Sequence, residues 1–138
     1  MNLPLKLTFL IISLFLYSSA QGQNLAWVHK MGLGLSDGGK DIAIDKSGNV
    51  YTTGYFSGIV DFDPGTGIHN LTSSGLLDIF IQKLDSSGNF LWAKNIGSAS
   101  DDEGGGIAID TFENVYVSGY FQGQADFDPN QGIVNRTA

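Results

Sequence analysis

Two pairs of aspartates have the spacing that a cation site needs. Asp61 and Asp63 flank Phe62 in an Asp-Phe-Asp-Pro element, and Asp126 and Asp128 flank Phe127 in a second one. On an extended backbone, side chains two residues apart point to the same face, and Ca²⁺ takes carboxylate and carbonyl oxygens. These four residues are therefore the calcium candidates of the chain; no motif requires any other cofactor. The match is partial. Gly65 after Pro64 becomes Asn130 after Pro129, and neither copy offers the roughly five or six oxygens of an EF-hand-type loop. The competing expectation is a turn in which the carboxylates accept backbone N–H groups while Phe62 and Phe127 anchor it in the core.

Other chemistry is thinner. Asp101-Asp102-Glu103 runs into Gly104-Gly105-Gly106, which could cradle a cation or ligand and which also suits a solvated turn. Asp37 recurs as Asp102, favouring a structural role at the entry to a strand. Trp27, Tyr51, Tyr55 and Phe56, with Trp92, Tyr116, Tyr120 and Phe121, could stack on sugar rings; at strand positions they also read as core. His29 and His69 have Lys94 and Val134 at the corresponding later positions, so neither belongs to a repeated feature. Without a cysteine or a Gly-x-Ser-x-Gly elbow, no nucleophile arrangement is visible and no catalytic residue is assigned. Asn70-Leu71-Thr72 and Asn135-Arg136-Thr137 fit N-glycosylation acceptors and read as polar loop residues.

A long self-similarity positions these candidates. Residues 27–73 return as residues 92–138 at a fixed offset of 65, with 23 of 47 positions identical and no gap. Such regularity identifies a repeat architecture. It also favours a scaffold over catalysis, because a catalytic constellation normally occurs once in a fold.

Residues 24–32 alternate as a strand does and resemble residues 89–97, so they are expected to be the same element met once before the first full repeat. With the glycine-rich link after them, residues 21–39 form a leading strand and link. Residues 40–45 and 49–56 read as strands around Asp45-Lys46-Ser47-Gly48-Asn49, where Asp and Ser bond the local backbone and Gly supplies a positive φ. Residues 78–84 and 90–95 repeat that hairpin around Asp85-Ser86-Ser87-Gly88-Asn89. In Asp110-Thr111-Phe112-Glu113-Asn114 the glycine position holds Glu113. Glu113 either accepts a left-handed conformation at about 1 kcal/mol or changes the turn type. Two hairpins make four antiparallel strands per repeat, and no helical period is sustained, so the expected class is all-β. Residues 57–77, which carry Asp-Phe-Asp-Pro, form a short extra strand or an ordered loop.

A tandem four-stranded antiparallel unit resembles a β-propeller blade. More specifically, Ile42-Ala43-Ile44-Asp45, Gly48-Asn49-Val50-Tyr51, Gly54-Tyr55-Phe56, Val60-Asp61-Phe62-Asp63-Pro64-Gly65 and Asp78-Ile79-Phe80-Ile81-Gln82-Lys83-Leu84-Asp85 resemble the SBBP family of bacterial β-propeller repeats over residues 25–138. The resemblance implies a complete blade at 40–97 and a partial second blade at 98–138. A closed propeller needs at least about four blades, so the expectation is an incomplete propeller. Its remaining blades would come from a longer parent chain or, less favourably, from other subunits. Propellers host unrelated activities. What the family implies is a non-enzymatic module of an exported bacterial protein that binds a protein or a surface glycan, with a carbohydrate-binding or glycan-processing propeller as the alternative.

Composition limits the partners. The chain carries 14 acidic and 7 basic residues, and Lys6 is the one basic residue before Gln21, so the remainder balances six against fourteen, or −8. Lysines scattered among carboxylates do not make a phosphate footprint, which argues against nucleic acid. Residues 1–20 read as a signal peptide: a weakly basic start, an apolar run at 7–17, and Ser18-Ser19-Ala20 before a cut at Gln21, with a cut after Gly22 as the alternative. That apolar run falls short of the roughly 18 residues of a spanning helix, so no stable membrane insertion is expected after cleavage. With no cysteine for a lipid anchor or a disulfide, the product is expected to be secreted or in the cell envelope, held by its core and sheet ladders.

Overall fold

A computed structural model describes residues 25–30, 32, 36–128, 130 and 132–138. The expected signal peptide lies outside the described residues. Among the described residues there are ten strands and no helix: β1 (Gly38–Ile44), β2 (Val50–Phe56), β3 (Ile59–Asp61), β4 (Asn70–Thr72), β5 (Asp78–Leu84), β6 (Phe90–Ile96), β7 (Glu103–Ile109), β8 (Val115–Tyr120), β9 (Gln124–Asp126) and β10 (Asn135–Thr137). The class is all-β, as the periodicity predicts.

One repeat builds one four-stranded antiparallel sheet, in the order β1-β2-β5-β6. Its tight connections follow one design. Asp45 Oδ1 accepts the N–H groups of Ser47 and Asn49, both at 2.9 Å, while Asn49 Nδ2 donates to Asp45 Oδ2 at 2.8 Å. Asp85 and Asn89 close the β5–β6 loop in the same way, and Asp110 and Asn114 close the β7–β8 loop. The fourth loop residue must turn left-handed: Gly48 has φ 82°, Gly88 86° and Glu113 67°. Glu113 therefore accepts the strained backbone rather than changing the turn.

Between β2 and β5 the chain forms an extra hairpin, β3–β4, with Asp-Phe-Asp-Pro running from the end of β3 into the connection. The second copy does the same with β9–β10. Asn70-Leu71-Thr72 and Asn135-Arg136-Thr137, read above as loop residues, are thus β4 and β10 themselves. They pair because Phe62 N–H bonds His69 O at 3.0 Å and Phe127 N–H bonds Val134 O at 3.0 Å, which brings the hairpin arms into register.

The central sheet is covered on both faces. On one, Phe56, Val60, Phe62, Phe80 and Ala93 form a cluster under the β3–β4 hairpin. Phe62 sits edge-on to Phe56 at 5.2 Å and tilted on Phe80 at 5.1 Å. Each buried phenylalanine contributes about 1.5–3 kcal/mol. On the opposite face Tyr51 and Ile81 meet Ile107 of β7, with Ala43, Trp92, Ile96, Val115 and Val117 around them. The β7–β8 hairpin of the second repeat thus packs on the back of the first.

The leading segment departs from expectation. Residues 25–30 belong to no strand. A strand of the β6 type needs the open edge of a β5-type strand, and β5 already has β2 on one side and β6 on the other. Trp27 instead stacks on His29 at 5.2 Å and donates its indole N–H to Ser86 O at 3.4 Å.

Candidate functional site

The four calcium candidates lie where the first arm of each short hairpin ends and its connection begins. Asp61 Oδ1 accepts the N–H groups of Asp63 at 3.0 Å and His69 at 2.8 Å, and Asp63 Oδ1 accepts that of Gly65 at 2.8 Å. The second copy repeats this bond for bond: Asp126 Oδ1 with Asp128 and Val134, and Asp128 Oδ1 with Asn130. The N–H groups of His69 and then Asp63 hold the Asp61 carboxyl below the usual range, and those of Asp128 and Val134 do the same for Asp126. Phe62 is buried beneath its turn, and Phe127 stands edge-on to Phe121 at 4.9 Å. Among the described residues, no three His, Asp or Glu side chains come together as a metal site.

Asp101-Asp102-Glu103 is not a solvated turn. Asp102 is fully buried and accepts the N–H groups of Ser98 and Gln122. Glu103 opens β7 and pairs with Lys40 across the repeats at 3.3 Å. The glycines explain the difference, since Gly104 lies so close to β2 that a Cβ would meet the Thr53 hydroxyl. Asp37 accepts Ser57 N–H at 3.2 Å, the bond that Asp102 makes with Gln122 one repeat later.

The aromatics separate by copy. Tyr51 is 1 % exposed beneath the second repeat, whereas its counterpart Tyr116 is 58 % exposed. Phe56 is buried, Tyr55 and Trp92 are half-buried, and Tyr120 is exposed. His69 stacks on Phe90 at 4.8 Å, and its Nε2 lies 3.3 Å from Ala93 O.

Repeat reasoning missed a polar contact set between the two copies. Lys83 Nζ lies 3.6 Å from Asp45 Oδ2, 3.8 Å from Glu113 Oε2 and 4.8 Å above the Tyr51 ring. Asp41 Oδ2 accepts the N–H of Ile107 at 2.9 Å. Burial acts to raise the Asp45 carboxyl, but bonds from Asn49, Ser47 and Tyr51 outweigh it and hold the group at about 2. The signal was present as difference rather than likeness: Gly38, Lys40, Asp41 and Gly48 in the first copy stand against Glu103, Gly105, Gly106 and Glu113 in the second.

The model of the SBBP β-propeller repeat family matches residues 27–55 and 91–123, which are the two copies of the strand-turn-strand block described above. The chain carries two SBBP β-propeller repeats. It is also similar to an uncharacterized WD repeat-containing protein of Acanthamoeba polyphaga mimivirus, with 33% identity over 115 residues covering 73% of this chain. The chain spans 8% of the length of that relative. No solved structure matches the chain significantly. Both SBBP matches run through the Asp-x-x-x-Asn loop and the Gly-Tyr pair that follows it on the returning strand, so the family signature coincides with the elements that set turn and bulge.

Proposed function

We propose that this chain is a non-enzymatic β-propeller repeat module of an exported bacterial protein, a scaffold that binds a protein or a surface glycan. The observation that carries the reading is a mismatch between equivalent residues. Ile42 is 59 % exposed while its counterpart Ile107 is buried, and Tyr116 is exposed while its counterpart Tyr51 is buried. The two outer faces of the packed repeats therefore keep in water the side chains that the inner interface hides, and such surfaces are suited to being covered. The SBBP repeats support a scaffold role, as does the likeness to a WD repeat-containing protein. Further blades of a longer parent chain are the favoured cover, and other subunits the second choice.

Three measurements test this reading. Expressed with its own leader in a bacterium, the chain should appear outside the cytoplasm beginning at Gln21; retention with the leader attached would remove the export claim. Incubated with chromogenic glycosides, it should release no chromophore, and turnover would remove the non-enzymatic claim. The carbohydrate-binding alternative draws on the exposure of Tyr116 and Tyr120. A glycan that binds the wild type and is lost in both Tyr116→Ser and Tyr120→Ser would favour it.

A further inference from the structure

We propose that the connections of the β3–β4 and β9–β10 hairpins form one interaction surface, with an isoleucine and a carboxylate from each repeat. Its partner is a protein segment in which apolar side chains stand next to lysine or arginine. The inference rests on the binding role proposed above and specifies its surface and partner.

Ile68 and Ile133 occupy the same place in the two connections, 65 residues apart, and each is 77 % exposed. Isolated apolar residues on a surface are ordinary, but this pair escapes the explanation that serves the others. Ile42 is exposed and Ile107 buried, and Tyr116 is exposed and Tyr51 buried, because each copy packs on the other by one face only. Ile68 lies in the copy that has a repeat after it, and Ile133 in the copy that has a repeat before it. A neighbour on either side leaves the isoleucine in water to the same extent. Ile68 also belongs to the repeat whose four-stranded sheet is whole, so a missing strand does not account for its exposure. Among the described residues, this is the one pair of equivalent large apolar side chains exposed in both copies.

The hairpins hold each isoleucine in place. His69, the next residue, donates its N–H to Asp61 Oδ1 at 2.8 Å and accepts the N–H of Phe62 at 3.0 Å; Val134 does the same with Asp126 and Phe127. The preceding residue is a glycine set against an aspartate. A Cβ on Gly67 would collide with Asp63 Oδ2, and one on Gly132 with Asp128 Oδ2. A backbone fixed in this way leaves little ordering to be done on binding. The same contacts put a half-buried carboxylate beside each isoleucine. Both connections also touch β6: His69 stacks on Phe90 at 4.8 Å, and Lys94 reaches Asn130 Oδ1 at 3.4 Å. Four residues along a strand span about 13 Å, so one extended segment can meet both.

Charge selects the partner. From Gln21 onward the chain balances six basic against fourteen acidic residues, and Lys94 offsets part of the charge at the second connection. An anionic membrane would be repelled by these carboxylates, and so would a second copy of this acidic chain. A segment with lysine or arginine next to leucine, valine or phenylalanine satisfies both features, and two equivalent contacts within one segment bind more tightly than either alone.

The test uses short random peptides displayed on phage, depleted on the full chain carrying Ile68→Ser and Ile133→Ser and then selected on the wild type. Both positions stand in water, so the substitutions leave the core clusters untouched. Enriched sequences should pair basic with apolar residues. Once synthesised, they should bind the double serine variant at least about tenfold more weakly, as loss of an anchor predicts. They should also bind more weakly to the chain carrying Asp63→Asn and Asp128→Asn, in which the amide oxygen still accepts the N–H of the turn. Failure to enrich any sequence would overturn the proposal, as would enriched sequences without basic residues or equal binding to the asparagine variant. Binding of the wild type, but not of the serine variant, to vesicles of phosphatidylcholine and phosphatidylserine would overturn it in favour of a lipid surface. The scaffold role is tested separately by export and glycoside turnover, which these substitutions do not touch.

Discussion

The carboxylate of Asp41 accepts the backbone N–H of Ile107 at 2.9 Å, joining β1 of the first repeat to β7 of the second. A bulge between Gly104 and Gly106 shifts the β7 register just before Ile107, and a bulge leaves backbone groups without a ladder partner. Asp41 supplies one. The bond from Ile107, followed by that from Ile42, holds the Asp41 carboxyl below the usual range. The counterpart of Asp41 is Gly106, so this tie is made once and belongs to the join between the repeats rather than to the repeat.

Asp41→Ala should accordingly loosen the join while leaving the first sheet intact. Amide exchange at Ile107 should rise together with that of its β7 neighbours, and β2 and β5 amides should stay protected. If β5 opens in parallel with β7, the two repeats unfold as one unit and Asp41 is not a tie between separable parts.

The loop aspartates set the acid limit of the fold. Asp45, Asp85 and Asp110 each have folded-state values depressed by the loop hydrogen bonds, Asp45 from 3.8 to about 2. A depressed carboxyl contributes stability that is complete above its unfolded value and is lost as pH falls through the folded one. The melting temperature should therefore fall steeply between pH of about 4 and about 2. Asp78 works in the other direction, because burial raises it and protonation relieves a cost. In Asp45→Asn the acid slope should flatten; a slope equal to that of the wild type would show that these loops do not govern it.

Glu113 carries two opposed effects. Its left-handed backbone, φ 67°, costs about 1 kcal/mol relative to glycine. Its carboxylate lies 3.8 Å from Lys83, with the Glu113 side chain 43% exposed, a setting in which an ion pair is worth about 0–1 kcal/mol. Glu113→Gly removes both and should be near neutral, while Glu113→Ala keeps the strain and loses the pair. Urea unfolding should rank Gly above Ala by about 1 kcal/mol, and the reverse order would mean that the backbone strain is absent in solution.

What could be read in advance was whatever repeats. The strand at residues 49–56, the Asp-x-x-x-Asn loops and the Asp-Phe-Asp-Pro turns all follow from local chemistry stated at least twice, and all are present in the structure. The join between the copies could not be read this way, because Lys40, Asp41, Lys83, Glu103 and Glu113 act through contacts between residues 30 to 66 positions apart. The leading segment misled for a related reason. Its alternation is that of a strand, but pairing needs an open edge, and both edges of β5 are taken.

Gly54 recurs as Gly119 because the backbone leaves no room for a side chain. A Cβ on Gly54 would collide with the carbonyl oxygen of Gly38, and one on Gly119 with that of Glu103. Both sit opposite the bulge that bends the first strand of each hairpin. Because the obstacle is backbone, Gly54→Ala should cost about 1–3 kcal/mol, as overpacking does. Gly39→Ala faces only a Thr52 methyl at 3.8 Å and should cost much less. Equal losses by thermal melting would mean that flexibility, rather than contact, selects glycine at position 54.

The aspartate pairs give the last test, because a cation and a turn ask different things of the same oxygen. Asp61 Oδ1 serves two N–H groups at once, so a Ca²⁺ ion at that atom would compete with bonds that close the hairpin. Asp61→Asn keeps an oxygen acceptor but lacks the charge a hard cation favours. If the role is the turn, the asparagine variant should melt close to the wild type, the alanine variant should melt lower, and neither Ca²⁺ nor a chelator should move the wild-type transition. If the role is metal binding, millimolar Ca²⁺ should raise the wild-type transition by mass action, and the asparagine variant should lose that rise. Because the two accounts predict opposite results for a single isosteric change, one pair of melts decides between them.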